Sequence, residues 1–515
     1  MSTEPWDMIC VGSGISALTY AAAIMQRDPS MRVLVLEQHS VPGGYSSEFH
    51  RPKQQSRFDC SMHKLTGMGE TGNLRRLFRD LGLEKEMQLH FSPAWFETAG
   101  QPSLVLESDP DLTLHALVRA FPNQEAGLRQ FFEEVTVHGY NSYMQFEIMQ
   151  GRFEPNFKQL RHAHKHFKHL TVRDALRERF SDQHLVELLS APSIYVGTFP
   201  EQCSYLYYLH VVYASLHQRS AYLSGGSQFL SDLLVRQIES RGGCVLLNVT
   251  VECVLVDDAE LSARGVVTDH GEFRSRTVLI NAAPHYALTE LFKPRPELET
   301  CITNVKHQVP ANATTTLYLV LDCAPEECGL RSAETMVLAA DSENAHALRT
   351  QVRLEPTNAD LAERAYWEFS TFEVTNYHTL DPSGGRVVVV NALDDIRHWP
   401  IRKTPEYRAK KKRATVMLLR RLIEQFPLLE SHIQYSELSS PRTYQRYTNN
   451  TAGSGYGALV SPHAVPTLLN HRFPIDGVRF LSAWVSGSGY EAVIGYSWMM
   501  AMSAPVAAVS KTNSL

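Results

Sequence analysis

Met8-Ile9-Cys10-Val11-Gly12-Ser13-Gly14-Ile15-Ser16-Ala17 decides the fold: four apolar residues run into two glycines and out into 18–26, a helix-forming stretch with more small residues at Ala21 and Ala22. A second apolar run, Val33-Leu34-Val35-Leu36, ends in Glu37. Strand, glycine turn, helix, strand and acid follow in the order a nucleotide site needs. Gly12 permits the sharp turn, Gly14 lets a pyrophosphate come up against the backbone, and Ala17 keeps helix and strand close. The helix N-terminus offers unbonded N–H groups and the positive end of its dipole to phosphates. Glu37, 23 positions after Gly14, is placed to accept from adenosine ribose hydroxyls. With both strands and the acid present, the pattern reads as a nucleotide site rather than an isolated turn. No arginine follows Glu37, so a ribose 2′-phosphate is not favoured. The pattern specifies an ADP moiety but not which dinucleotide carries it.

The whole chain agrees with a globular protein. Its 515 residues imply two to four structural units at ~100–200 residues each. Apolar residues are 43% and charged residues 20%, which excludes a disordered or fibrous protein. A net charge of −6 argues against nucleic-acid binding through the overall field. None of the eight cysteines forms a C-x-x-C pair, and the nearest two, Cys323 and Cys328, have no histidine at zinc spacing. Free thiols in a reducing, cytoplasmic compartment are therefore expected, without a metal centre. The first apolar run passes straight into glycines, so no secretory leader is expected. Residues 492–509 approach membrane length but include Gly495, Ser497, Ser503 and Pro505. They read as a buried or surface-touching helix.

Six residues after Glu37 come Gly43-Gly44-Tyr45-Ser46, and then Phe58-Asp59-Cys60-Ser61-Met62-His63. With these the sequence resembles the FAD-dependent amine-oxidase-like superfamily, and within it the phytoene desaturase, carotenoid isomerase and retinol saturase group. That group carries a second Gly-Gly after the acid and a Phe-Asp-x-Gly-x-His stretch. Ser61 stands where its glycine is expected, so a different backbone course is anticipated there. The resemblance resumes at Gly225-Gly226 and at Val251, Asn281, Ala282 and Ala283. It returns in Gly487-Ser488-Gly489-Tyr490-Glu491-Ala492-Val493. It implies an α/β fold: a discontinuous Rossmann-like FAD-binding domain from 1–90, 218–300 and 470–515, with an inserted α+β substrate domain from 91–217 and 301–469. It implies FAD held without a covalent bond by Gly12, Ser13, Gly14, Ile15, Ser16 and Ala17 and by Glu37 and Gln38. The second loop adds Gly43, Gly44, Tyr45, Ser46 and Met62. Val251, Asn281 and Ala282, then Gly489, Tyr490, Ala492 and Val493, complete the set. The last helix would aim its N-terminus at the flavin. The usual Gly-Asp or Gly-Gln before this turn is replaced by Ser482-Ala483 or Ala483-Trp484, which puts the ribitol contact in question.

Outside these segments three stretches stand out. The region 191–223 holds Tyr195, Phe199, Tyr205, Tyr207, Tyr208, Tyr213 and Tyr222, either the wall of an apolar pocket or ordinary core. Residues 157–170 read as a basic amphipathic helix, solvated or touching an acidic surface. His162 and His166 have metal spacing, but no carboxylate lies near them in sequence. Lys410-Lys411-Lys412-Arg413, in a helix starting at Thr404-Pro405, reads as a solvated face.

The leading functional reading is a flavoenzyme acting on carbon–carbon bonds of an apolar, conjugated substrate by desaturation, saturation or isomerisation. His63 is the candidate catalytic residue, since imidazole exchanges protons near neutral pH. Two alternatives remain open: an amine or amino-acid oxidase, with Lys64 or Arg442 supplying charge, and a non-catalytic prenyl- or lipid-binding relative. Expected partners are an apolar small molecule, a peripheral membrane or carrier contact, and an external electron donor or acceptor of unassigned identity.

Overall fold

Met8–Val11 lies in a sheet between Val33–Glu37 and Val278–Ile280, so segments far apart in sequence meet at the glycine turn. The computed structural model describes residues 4–504 except 62, 100–102, 150–151, 340, 465–468 and 470–472. Cys244–Leu247 and Val478–Phe480 form the two edges of this five-stranded sheet, and all its pairs are parallel. Numbered along the chain, its strands lie in the order 3-2-1-4-5. This is a doubly wound arrangement, and ligands bind where the order reverses, beyond the carboxyl ends of the strands. That point falls between Gly12, after the first strand, and Asn281, after the fourth.

A parallel sheet is covered on both faces, and the side chains alternate accordingly. Met8, Cys10, Val33, Val35 and Leu279 pack to one side with the helices Ile15–Arg27, Gly226–Ser240 and Tyr490–Ser503. Ile9, Val11, Leu34, Leu36, Val278 and Ile280 pack to the other. There they meet an antiparallel sheet of Val251–Asp257, Ser262–Thr268 and Gly271–Arg274.

A seven-stranded mixed sheet draws its strands only from 94–107 and 313–439. Its order is Ile433–Ser439, Ala313–Leu321, Val387–Asp394, Phe372–Asn376, Glu334–Val337, Ala94–Thr98, Val105–Glu107. Leu317, Leu319, Val388, Val390 and Ala392 share a core with the helices of 110–217. The opposite face carries Thr314, Thr316, Glu373 and Asn391 toward a cavity. One face of this sheet is thus hydrophobic support, and the other is divided between a polar cavity floor and an apolar part, Tyr318, Val320, Val387 and Val389, that joins the core of the parallel sheet.

Lys410 departs from the solvated face expected of 410–413. It is 1% exposed, and its ammonium donates to the His398 carbonyl at 3.1 Å and pairs with Glu363 at 3.3 Å. The indoles of Trp367 and Trp399 also flank it. Burial holds its pKa below the usual lysine range despite Glu363. Of the four, only Lys412 and Arg413 are exposed, and Arg413 pairs with Glu363 at 2.7 Å. A sequence window sees four cations, whereas helical geometry turns one of them under the sheet.

The short helix Val172–Arg179 is closed by a reciprocal cap: Thr171 Oγ1 accepts from Asp174 N at 3.2 Å, and Asp174 accepts from Thr171 N at 3.4 Å. Thr171→Ala should cost about 1 kcal/mol. The expected sign is a lower urea midpoint at unchanged slope. An unchanged midpoint would mean that packing alone holds the helix.

Candidate active site

The glycine turn is shaped by Asn281 and clamped by Glu37. Gly12 has φ +92°, and a Cβ there would lie 2.7 Å from the Asn281 carbonyl oxygen. Only glycine fits both restrictions. Glu37 is 6% exposed. Its Oε2 accepts from Ser13 N at 2.9 Å and Ser13 Oγ at 2.7 Å, and its Oε1 accepts from His39 N at 2.9 Å. A carboxylate has about four acceptor positions, so one remains for a ribose hydroxyl. The acid therefore pins the turn as well as facing the ligand space, a role its spacing alone did not suggest.

The second glycine pair lies directly on the first. Gly43 N donates to the Ser13 carbonyl at 3.0 Å, and Gly44 sits so close to Gly14 that a Cβ on it would be 3.5 Å from the Gly14 Cα. The helix Ile15–Arg27 has no side-chain N-cap and no acid in its first turn. Its N–H groups are left to an anion. The final helix, Tyr490–Ser503, also begins without a side-chain cap, at Gly489.

These elements surround a cavity of about 380 Å³, within the size range of small-molecule sites. Gly12, Gly14, Ile15, Ser16, Glu37, Gln38, Gly43, Gly44, Tyr45 and Ser46 line it from the first two loops. Val251, Asn281 and Ala282, and Gly489, Tyr490, Ala492 and Val493, line it from the later segments. Ser13 and Ala17 do not. Ser13 is turned into the Glu37 clamp, and Ala17 is 0% exposed beneath the helix, packed with the sheet. Met62 lies outside the described residues. The Asn281 Oδ1 is buried and has no hydrogen-bond partner among the described residues, and it borders the cavity at the switch point of the sheet. The uncapped helix ends, apposed glycines and orphaned amide oxygen fit a dinucleotide.

Ser61, where a glycine was expected, ties the cofactor loops together. Its hydroxyl bonds the Tyr45 carbonyl at 2.8 Å and the Tyr490 hydroxyl at 2.7 Å. Ser482, Ala483 and Trp484, the departures near the C-terminus, all border the cavity.

Farther along the same cavity stands an ionic cluster. His63 Nδ1 bonds Glu334 and lies 3.0 Å from Glu373 Oε1. Lys64 pairs with Glu334 and donates to the Trp95 carbonyl at 2.6 Å. Tyr195 donates to Glu334 Oε2 at 2.8 Å, and its ring stacks on His63. Both glutamates are nearly fully buried. Burial alone would lower the His63 pKa, but Glu373 and Glu334 outweigh it and push it up to about 10. Burial would raise Glu334, but Lys64 and His63 bring it down to about 2. His63 is thus charged at neutral pH, a correction to the near-neutral titration expected of it. The ligand atoms of His63, Glu334 and Glu373 lie within metal-binding reach of one another. However, Lys64 and charged His63 already balance the two carboxylates.

The remaining wall is helical. Tyr207, His210, Val211 and Ala214 follow helical spacing along Tyr205–His217 and face the cavity. Burial brings His210 down to about 4, so this wall is uncharged. The aromatic segment therefore divides. Tyr195 and Tyr207 line the cavity, whereas Phe199, Tyr205, Tyr208, Tyr213 and Tyr222 belong to the core. Glu491, beside Tyr490, accepts from Thr66 Oγ1 at 2.7 Å, and burial pushes its carboxyl upward. Arg442 does not line the cavity; it donates to the Trp399 carbonyl at 3.1 Å. The sequence reading missed Glu334 and Glu373. Their available signal was a carboxylate inside an otherwise strand-like apolar run, which is costly unless paired.

Comparison with known proteins gives the same architecture. Residues 10–81 match the NAD(P)-binding Rossmann-like domain family. The chain is 24% identical over 480 residues to prolycopene isomerase 2 of an Oncidium hybrid cultivar, covering 90% of this chain and 76% of that protein. It is 25% identical over 511 residues to the all-trans-retinol 13,14-reductase of Rattus norvegicus, covering 90% and 80%. The structure is similar to cyclohexylamine oxidase from Brevibacterium oxydans IH-35A, with TM-score 0.58, 18% identity and coverage of 97% and 98%.

Proposed function

We propose, from the premise that this chain belongs to the FAD-dependent amine-oxidase-like superfamily, that it binds FAD non-covalently and acts on carbon–carbon bonds of an apolar, conjugated substrate. Desaturation, saturation and isomerisation all fall within this reading. The observation that carries it is the continuity of one cavity. The same space runs from the Gly12–Gly14 cradle, past His63, to a wall of Tyr195, Tyr207, Val211 and Ala214.

Gly14, Gly43 and Gly44 would hold the pyrophosphate, Glu37 and Val251 the adenosine end, and Gly489 and Tyr490 the flavin end. A bound flavin would supply electron-pair exchange with the substrate carbons. The chain's own residues exclude water through the aromatic wall. They also hold a charged imidazole at the cavity surface, where its proton can be donated or its charge can orient the substrate. Glu334 and Glu373 fix that ring, and Tyr195 stacks on it.

The amine-oxidase alternative shares the fold, but neither cation expected to recognise its substrate is free to do so. Lys64 is bound to Glu334 and Trp95, and Arg442 lies off the cavity, so neither is available to a substrate carboxylate. The two buried glutamates already hold His63 and Lys64 rather than awaiting an ammonium. The test is to denature the purified protein, identify the flavin by mass, and compare turnover of a conjugated polyene with that of primary amines. FAD release with polyene turnover is expected. Ammonia and peroxide from an amine would favour the alternative, and a colourless protein would restore the non-catalytic one.

We propose further that the apolar substrate is collected at an anionic lipid surface. Phe157–Phe167 exposes Phe157, Lys158, Arg161 and Lys165, and it packs on the cavity-wall helix Tyr205–His217. No helix among the described residues is long and apolar enough to cross a membrane. Contact with an anionic lipid surface should therefore be peripheral and screened by salt. Flotation with anionic liposomes at low but not high salt is expected. Protein remaining with the soluble fraction at both would remove this route.

A further inference from the structure

At the end of the mixed sheet, away from the cavity, the turn that follows Ala313–Leu321 brings two cysteines to a histidine that precedes Ile433–Ser439. Cys323 Sγ and Cys328 Sγ are 3.3 Å apart. These sulfurs and a ring nitrogen of His432 all lie within 4.8 Å of one another. We propose that Cys323, Cys328 and His432 form a binding site for a thiophilic divalent cation of the zinc class, with solvent completing the coordination.

The spacing suits such an ion. Zinc–sulfur bonds of ~2.3 Å and zinc–nitrogen bonds of ~2.0–2.1 Å put two sulfurs of a tetrahedron roughly 3.8 Å apart and a sulfur and a nitrogen roughly 3.5 Å apart. Taking up the ion would part the sulfurs by about half an ångström and bring the imidazole to bonding distance by side-chain rotation. The histidine also has the carboxylate neighbour that metal-bound imidazoles commonly carry. His432 Nδ1 lies 2.7 Å from Asp322 Oδ1, and Asp322 Oδ2 accepts from Gln434 Nε2 at 3.0 Å. A carboxylate on Nδ1 fixes the tautomer that leaves Nε2 with a lone pair. The Asp322 backbone is itself held, with its N–H donating to the His432 carbonyl at 3.1 Å and its carbonyl accepting from Arg386 at 2.8 Å. A disulfide between the two cysteines would leave this oriented histidine unused, so the geometry favours a metal over a redox pair. The sequence spacing concealed the site because His432 reaches it through strand pairing: Ile433 lies opposite Leu321.

A bound ion would staple the 322–330 turn to the neighbouring strand. Cys328 is 3% exposed within the core, whereas Cys323 and His432 are more accessible, so the latter two give the safer variants. The experiment titrates cadmium ion into the full-length, reduced, metal-free protein and follows the thiolate-to-metal charge-transfer band together with equilibrium dialysis. One cadmium per chain with a thiolate band, displaced by zinc, is expected. Cys323→Ser and His432→Ala should each weaken binding by about 100-fold. Asp322→Asn should weaken it by about 10- to 100-fold through loss of ring orientation. Zinc should also raise the melting temperature of the wild type but not of Cys323→Ser. Three results would each overturn the proposal: no saturable uptake, a band undiminished in folded Cys323→Ser, or a Cys323–Cys328 disulfide that forms in preference to metal binding in the presence of a thiol reductant.

Discussion

A Gly14→Val protein should purify colourless while keeping the fold of the wild-type apoprotein. Gly14 has an extended backbone, φ −60° and ψ 159°, which valine adopts without strain. The first obstacle to a Cβ is Asn281 Oδ1, 2.3 Å away. That is the end of a side chain, and a rotation can relieve it. The larger obstacle is the ligand, because the branched methyls fill the space that lets a pyrophosphate reach the backbone of the turn. Flavin affinity should fall by at least about 100-fold, equivalent to roughly 2.7 kcal/mol. The flavin-to-protein ratio after gel filtration reads the loss, and circular dichroism checks the fold. A yellow, stoichiometric Gly14→Val protein would show that the cradle is not the binding site.

His63→Gln should retain flavin and lose about 100- to 1,000-fold in turnover. Glutamine keeps a hydrogen-bonding group near Glu334 and Glu373 but no charge. The wild-type rate should be flat from pH 6 to 9 and fall as pH approaches 10, where the imidazolium loses its proton. Stability follows the same group. Because folding raises the His63 pKa from 6.5 to about 10, its stabilising contribution is complete below about 6.5 and disappears as pH rises through 10. In His63→Gln that part of the alkaline decline should vanish from both the stability and the rate profiles. Full activity in His63→Gln would reduce His63 to a packing role.

The parallel sheet was readable because its signals are local. Met8–Val11 and Val33–Glu37 are short apolar runs bounded by glycines and an acid, and each needs only its neighbours in sequence to be recognised. The mixed sheet offered no such punctuation. Its strands pair across long separations, and their alternation places Thr314, Thr316 and Asn391 on a polar cavity floor rather than in solvent. The same physics explains the two halves of the ionic cluster. His63 stood beside a recognisable loop, but its partner Glu334 is 271 positions away and arrives only when the inserted sheet folds against the nucleotide unit. Glu37 was visible as an acid after a strand. Its hold on Ser13 was not, since spacing records a position but not which hydrogen bonds that position completes. Tyr195 and Tyr207 shared a composition with their core neighbours, and only the direction of each side chain separated wall from core.

Anaerobic mixing of the oxidised and the reduced holoprotein with a conjugated polyene, followed by flavin absorbance and product mass, separates carbon–carbon chemistry from amine oxidation. The polyene should perturb the flavin spectrum. The product should have lost or gained two hydrogen atoms, or have kept its mass with an altered double-bond geometry, and primary amines should leave the oxidised flavin unchanged. A polyene that neither perturbs the flavin nor is altered, together with rapid bleaching of the oxidised flavin by an amine, would contradict the proposed carbon–carbon chemistry.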